Sequence, residues 1–473
     1  MRCLCFRPAA MLLLVAAMPV AAQRAAPVAV AAGEAVRLGG AQRAAAVAAI
    51  SVAIQRQYVF PQRVPAITAR LQAGLASGRY DLEDPRAFAA RVTDDLRAAS
   101  GDRHVYLNYA PDEYAATLAA ERPGGVGGTS AVDALRAHQA ARANHGLAEL
   151  RILPGNIRYL RITGFQWIDD QTGAVYDDAM RFLRGGDALI IDLRNNGGGS
   201  HAAVRYLLSH FMDGDRLDIT FLRSGAEPEQ SRTLEYLPAG RLKRQPLYIL
   251  VNDQVGSAAE AFAYDVKQFK LGTLVGTTTA GAANNNGFTP VAPGFMLSVS
   301  FGRPVHPVSG TNWEGVGVPP DVSADFDRAL PAAQALALQR LMARADASPG
   351  DQADWRWALP AVEAQLHPVS IPAARLAALA GIYGGRKIVQ REGALYFERR
   401  IGISSRLLPL TEDGWFAVDG YDDRFRIRLT GSTMETQWID EPAPTKLVRD
   451  APAILRSCLH DLRCARRVNR EPF

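Results

Sequence analysis

Between residues 42 and 100 the apolar positions recur at helical spacing. Ile50, Val52, Ile54 and Val59 form a first set, Ile67, Leu71 and Leu75 a second, and Phe88, Val92 and Leu96 a third that Asp84-Pro85 opens. These stripes predict an N-terminal helical domain over 35–125, ending in a flexible break at Arg122-Pro123-Gly124-Gly125-Val126-Gly127-Gly128-Thr129-Ser130. From about 150 the pattern changes. Ile157 to Ile162 reads as a strand, and Ala188 to Leu193 is a continuous apolar run closed by Asn195-Asn196-Gly197-Gly198-Gly199, with a helix from His201 to Phe211 behind it. Leu247 to Val251 is a second buried strand, followed by Gly256-Ser257 and a helix through Ala263 and Val266; Thr273 to Val275 and Met296 to Val299 complete the set. Apolar strands alternating with helices predict a mainly parallel α/β core over 150–325. A helical connector, punctuated by Pro360 and Pro368, is expected over 326–375. Over 376–450 the signal is all-β, with candidate strands at Lys387–Gln390, Leu395–Arg399, Arg406–Leu410, Trp415–Val418, Phe425–Leu429 and Glu435–Ile439. Turn signals between these runs give a small antiparallel barrel or sandwich.

Composition narrows the class. The chain has 473 residues, 48% hydrophobic and 21% charged, which suits two or three folded domains rather than a disordered chain. Arg2 and Arg7, the apolar run Ala9 to Met18, and Val20-Ala21-Ala22 before Gln23 read as a secretory signal peptide over 1–22. That apolar run is shorter than the ~20 residues a membrane span needs, so export to the periplasm or medium is expected, with no integral membrane segment after cleavage. Losing Arg2 and Arg7 takes the formal charge from +5 to +3. Such a small surplus, without a basic stripe interleaved with aromatics, argues against nucleic acid. The one basic concentration is the tail over 451–473, read as solvated. Cys458 and Cys464 remain after cleavage as a candidate disulfide pair. Six residues apart on a helix they would stand ~9 Å apart, so the bond requires a turn there. No metal and no cofactor is expected.

Two glycine-bearing turns carry the chemistry. In Gly256-Ser257-Ala258-Ala259-Glu260 a serine stands where a helix begins after a buried strand. Its hydroxyl is placed at the sheet edge, among outward-pointing N–H groups that suit an oxyanion. Taken alone the motif fits an ordinary serine N-cap as well. The second turn, Asn195 to Gly199, allows close backbone approach, and Gly199 and Ala258 are the candidate oxyanion donors. A phosphate loop fits less well, because neither Gly-Lys-Ser/Thr nor Gly-x-Gly-x-x-Gly is present there.

Four segments in this order resemble the C-terminal processing (tail-specific) serine peptidases, in particular their tricorn-like and interphotoreceptor-retinoid-binding-protein-like branch. They are Tyr58-Val59-Phe60-Pro61 with Ser100-Gly101-Asp102-Arg103-His104; Asp192-Leu193-Arg194-Asn195-Asn196-Gly197-Gly198; Gly256-Ser257-Ala258-Ala259-Glu260; and Asn312-Trp313-Glu314-Gly315-Val316-Gly317-Val318-Pro319-Pro320-Asp321. The resemblance covers roughly 45–325. It implies a crotonase-like α/β core and a serine endopeptidase or oligopeptidase acting on a peptide or protein substrate, with Ser257 as nucleophile, His104 as base and Glu314 orienting it. A branch that uses lysine some two dozen residues downstream of its serine does not fit: residue 282 is Ala, and Lys267 and Lys270 lie along the serine's own helix. His201 and His306 are rival bases without a matching family position. The stretch between Ala110 and Leu153 is too short for the substrate-gripping PDZ module many relatives carry. The alternatives are an apolar-ligand-binding protein on the same fold and an esterase for small acyl groups. Oligomeric state is not read from the sequence.

Overall fold

The structure, a computed structural model, describes residues 37–120, 137–223, 225–400, 403–421 and 424–451. The expected leader over 1–22, the break at 122–130, the Cys458/Cys464 pair and the basic tail beyond Ala451 lie outside the described residues.

The N-terminal helices run Gly40–Gln57, Val64–Ala76 and Pro85–Ser100. Local sequence sets the last one: the Asp84 carboxylate accepts the N–H groups of Arg86 and Ala87, Pro85 occupies the first turn, and Gly101 closes the helix at φ 66°. Ile50, Ile54, Ile67, Leu71, Phe88, Val92 and Leu96 are fully buried. They pack together and onto Phe295, Leu297 and Val299, so the helices share their core with a strand nearly two hundred residues later.

The central sheet has six strands in the order Val322–Ser323, Thr273–Gly276, Leu247–Val251, Ala188–Asp192, Ile157–Ile162 and Leu147–Leu153. All neighbours are parallel except the last pair. The helices Asp170–Leu183, His201–Ser209 and Ala258–Gln268 cover one face, and Phe326–Met342 and Pro349–Leu366 cover the other. A second sheet is antiparallel throughout: Phe295–Val305 lies between Tyr106–Tyr109 and Leu217–Arg223, with Glu229–Arg232 on the outer edge and Asn285–Ala292 also paired to the long strand. The apolar run at 296–299 therefore belongs to this sheet and not to the parallel one. A strand buried on both faces reads the same in either kind of sheet, so its direction is decided by its partners.

The C-terminal sheet joins eight antiparallel strands in sequence order from Gly381–Tyr383 to Thr445–Val448, and a bridge between Tyr383 and Arg449 brings its two edges together into a nearly closed barrel. Its interior is filled by Ile388, Phe397, Leu407, Phe416, Ile427, Leu429 and Met434. The two end strands were not anticipated; they are three and four residues long and mostly exposed. No helix among the described residues is long and apolar enough to cross a membrane.

The helices over 326–366 form a full layer on the central sheet. Trp355 is 2% exposed, packs in the cluster with Ile157, Tyr159 and Leu338, and donates its indole N–H to Asp187 Oδ2 at 3.0 Å. Trp355→Ala is expected to cost about 3–5 kcal/mol of stability, read as a fall in the chemical-denaturation midpoint; an unchanged midpoint would show that this layer does not support the sheet.

Candidate active site

Ser257 is the N-cap of the helix Ala258–Gln268, entered from the buried strand Leu247–Val251. Its backbone lies at φ 53°, ψ −123°, a conformation that an L-residue adopts only when its surroundings hold it there. The restraint is Glu260, fully buried one turn on. One of its oxygens accepts from Ser257 N–H at 3.0 Å and Ala282 N–H at 2.8 Å; the other accepts from Gly281 N–H at 2.6 Å and the Thr279 hydroxyl at 2.5 Å. Burial pushes the Glu260 carboxyl above its ordinary range, and the four donors oppose that shift. One side chain thus ties the serine turn to the loop 279–284.

The glycine-rich turn lies against the serine turn. Gly256 N–H donates to Asn196 O at 3.0 Å, and Asn195 and Asn252 exchange two further hydrogen bonds at 2.8 and 2.9 Å. A Cβ on Gly198 would lie 2.7 Å from Ser257 Cβ and 2.9 Å from Ala258 N, and one on Gly199, at φ 136°, would lie 2.0 Å from Phe165 O. Only glycine permits these approaches. The parallel bridge to Phe165 uses Gly198 O and Ser200 N–H, which turns the Gly199 N–H away from it. Ala258 is the first residue of its helix, where an N–H has no intrahelical partner. Neither N–H finds an acceptor among the described residues. A cavity of about 140 Å³ opens here, bordered by Ser257, Gly199, Ala258, His201, Asn284 and Trp313.

His104 and Glu314 come from segments 210 residues apart in the chain. The 279–284 loop presents Ala283 and Asn284 N–H groups to Glu314 Oε2, at 2.6 and 3.1 Å. His104 is 8% exposed; its N–H donates to Asp102 Oδ1 at 2.9 Å and its carbonyl accepts from the Ser298 hydroxyl at 2.6 Å. The side-chain oxygens of Asp102 and Glu314 and the ring nitrogens of His104 include one atom each that lie within 4.8 Å of one another. His104 Nδ1 and Glu314 Oε1 are both buried without a hydrogen-bond partner among the described residues. The composition could also suit a metal, but Asp102 Oδ1, Asp102 Oδ2 and Glu314 Oε2 already accept N–H donors. Burial holds the His104 imidazole below its ordinary pKa, against the opposing pull of Asp102. Burial and then the Asp102 charge push Glu314 up to about 7.

Ser257 and His104 share no hydrogen bond, and His104 does not border the cavity beside Ser257. Asn284 links the two groups: it borders that cavity, and its Nδ2 donates to Asp102 Oδ2 at 3.0 Å. Of the rival bases, His201 borders the cavity, whereas His306 is fully buried against Asp265 at 3.4 Å and is pushed down to about 4 by burial. Lys267 is tied to Asp321 and Pro319 O. Sequence reasoning passed over Asp102, Asn284 and the four bonds of Glu260. The only signals were Asp102 two residues before the histidine, as in a side-chain-capped turn, and the run Asn284-Asn285-Asn286.

A serine held in a strained turn, two free N–H donors beside it, and a histidine–carboxylate pair nearby define a candidate hydrolase site of the serine type. Residues 156–324 match peptidase family S41, and residues 32–132 match the N-terminal domain of Peptidase_S41 in eukaryotic IRBP. The chain belongs to peptidase family S41. It is 32% identical over 143 residues to the tricorn protease of Thermoplasma volcanium, a match over 30% of this chain and 13% of that one. It is 28% identical over 170 residues to the chloroplastic C-terminal processing peptidase of Tetradesmus obliquus, 35% of each chain. The matches thus span about a third or less of these relatives' lengths. Among solved structures, a lipoprotein from Streptococcus agalactiae is similar with a TM-score of 0.43 at 17% identity, over 63% of this chain and 97% of that one. The photosystem II D1 C-terminal processing protease gives 0.36 at 18%, over 60% and 93%.

Replacing one Glu260 oxygen by an amide in Glu260→Gln leaves two of its four donors facing N–H. A loss of about 2–4 kcal/mol is expected, read by urea unfolding; wild-type stability would show that the loop 279–284 is held by other contacts.

Proposed function

We propose that this chain is an exported serine peptidase that cleaves peptide bonds through an acyl-enzyme on Ser257. His104 acts as base and then acid, Glu314 orients its ring, and the N–H groups of Gly199 and Ala258 receive the oxyanion. The α/β core is read as crotonase-like. The helical segment over 35–125 and the core over 150–325 build the site, while the barrel over 376–450, beyond the helices of 326–375, is an accessory module. The leader over 1–22 directs export.

The observation that carries the reading is the approach of His104 to Glu314, 210 residues apart in sequence, within 4.8 Å at a site tied to the serine turn through Glu260 and the loop 279–284. The serine proton must pass to a neutral imidazole, and burial favours that neutral form. The imidazolium then formed needs a carboxylate, which Glu314 supplies once ionised. Catalytic hydrogen bonds commonly tighten only with substrate bound, and the histidine is expected to close onto Ser257 Oγ in that state. The oxyanion donors need no such movement.

Ser257→Ala is expected to abolish fluorophosphonate labelling and lower kcat by ~10⁴-fold or more, with the thermal midpoint close to wild type. A variant that still labels would place the nucleophile elsewhere. His104→Ala should be equally inactive, and full activity in it would transfer the base role to His201, which borders the cavity.

The pH profile follows from the two shifts. His104, held below 6.5, is already neutral at pH 7, whereas Glu314 ionises at about 7, so ionised Glu314 is the species that accumulates as pH rises. kcat/KM should climb through about pH 7 to a plateau, with an apparent pKa that belongs to the pair. In Glu314→Gln the limb should move below 6.5, toward the histidine, with a lower plateau. A wild-type profile that is flat from pH 6 to pH 8 would sink this assignment.

A further inference from the structure

The cavity beside Ser257 has a chemical character that the hydrolytic machinery does not require. Its walls are largely apolar, from Phe221, Ala261, Phe301 and Trp313. Apart from the Ser257 hydroxyl and the Gly199 and Ala258 N–H groups at its catalytic end, its side chains offer acceptors. The hydroxyl of buried Ser231 donates to Asp218 Oδ2 at 3.1 Å, and Asp218 is fully buried. Having one proton, that hydroxyl can meet His201 Nε2 at 2.9 Å only as an acceptor, so Nε2 carries the hydrogen. Nε2 also lies 3.3 Å from Asp218 Oδ2, and in the neutral ring Nδ1 is then a lone pair. An edge-to-face contact with Phe221, ring centroids 4.9 Å apart, holds the imidazole at the cavity wall.

Asn284 repeats the pattern. Its Nδ2 donates to the Asp102 carboxylate, which fixes which end of the amide is which, and its Oδ1 is buried with no donor among the described residues; the residue is 1% exposed. Asn285 Oδ1, also at the cavity, is likewise buried without a donor. Buried acceptors left without donors are costly, and two of them on adjacent residues bordering one cavity indicate a donor that arrives with a ligand.

We infer that this cavity is the primary specificity pocket, reading a substrate side chain that ends in a nitrogen donor, amide or ammonium, through His201, Asn284 and Asn285. The inference rests on the peptidase reading, since it assigns the pocket to the residue whose carbonyl Ser257 attacks. About 140 Å³ suits one unbranched side chain. A carboxylate would leave the Asn284 and Asn285 oxygens without donors and bring its charge toward buried Asp218 behind the imidazole, so it is disfavoured. An apolar side chain fills the space but leaves the acceptors unpaired, and sites built for hydrogen bonds discriminate strongly against ligands that lack them.

The test separates binding from chemistry. Tripeptides ending in Gln, Lys, Met or Glu mimic the acyl-side product, and their affinity for Ser257→Ala protein is measured by calorimetry. Gln and Lys are expected to bind about tenfold or more tighter than Met, and Glu weakest. In His201→Phe on that background the preference for Gln over Met should collapse. Asn285→Leu provides the same readout should the histidine variant fail to fold, since it leaves the Ser231–Asp218 pair intact. Equal affinities, or tightest binding of Met or Glu, would overturn the pocket assignment. Fluorophosphonate labelling of the wild-type chain is scored separately: a protein that never labels but keeps the Gln-over-Met order refutes the peptidase reading and leaves a donor-selective binding pocket.

Discussion

The Glu260 carboxylate is the constraint on which the site depends. It is buried on the first turn of the serine helix and accepts four hydrogen bonds, one from the strained Ser257 backbone and three from the loop 279–284. A positive φ at a serine is unfavourable by itself and persists only where the surroundings over-determine it. Here the same oxygen atoms that hold the serine turn also fix the loop whose next two N–H groups hold Glu314. Ser257 and Glu314 are therefore positioned by one rigid unit rather than by two independent ones.

Around that unit the protein places its negative charge unevenly. Glu260 has a full set of donors, whereas Glu314 has donors on one oxygen only and lies near Asp102. Burial and then the Asp102 charge push Glu314 up to about 7, and donors on a single oxygen offset this only in part. A carboxyl pushed up to about 7, beside an imidazole whose protonation burial disfavours, divides proton holding between two groups with different environments. Asn284 stands where these parts meet. Its N–H serves Glu314, its Nδ2 serves Asp102, and its Oδ1 is buried without a donor among the described residues.

The outer parts of the chain meet this centre in different ways. The N-terminal helices bury their stripes on the strand Phe295–Val305, and that contact brings the turn bearing His104 to the second sheet. The C-terminal barrel instead rests on the helix Pro349–Leu366, where the Arg426 guanidinium lies 4.2 Å over the Trp357 ring. A cleft of about 1090 Å³ separates barrel and helix, and none of the proposed catalytic residues borders it. Loss of the barrel would thus leave every hydrogen bond of the serine turn in place.

Local pattern determined much of the architecture. The helices through Ile50, Ile67 and Phe88, the buried strands at 157, 188 and 247, and most of the barrel strands are legible from residue period and from Gly, Pro and Asp at their ends, because those signals act within a few residues. The two turns with Gly199 and Ser257 are legible for the same reason. What only the tertiary structure decided is everything set by partners distant in sequence. The 295–305 strand became antiparallel, the strands at 217–223, 229–232 and 285–292 gained a sheet to join, and Asp102, Asn284 and Glu260 acquired roles that no periodicity carries. A hydrogen bond between residues 182 positions apart leaves no trace in either local sequence, so Asn284 reads as one of three asparagines until the fold sets it against Asp102.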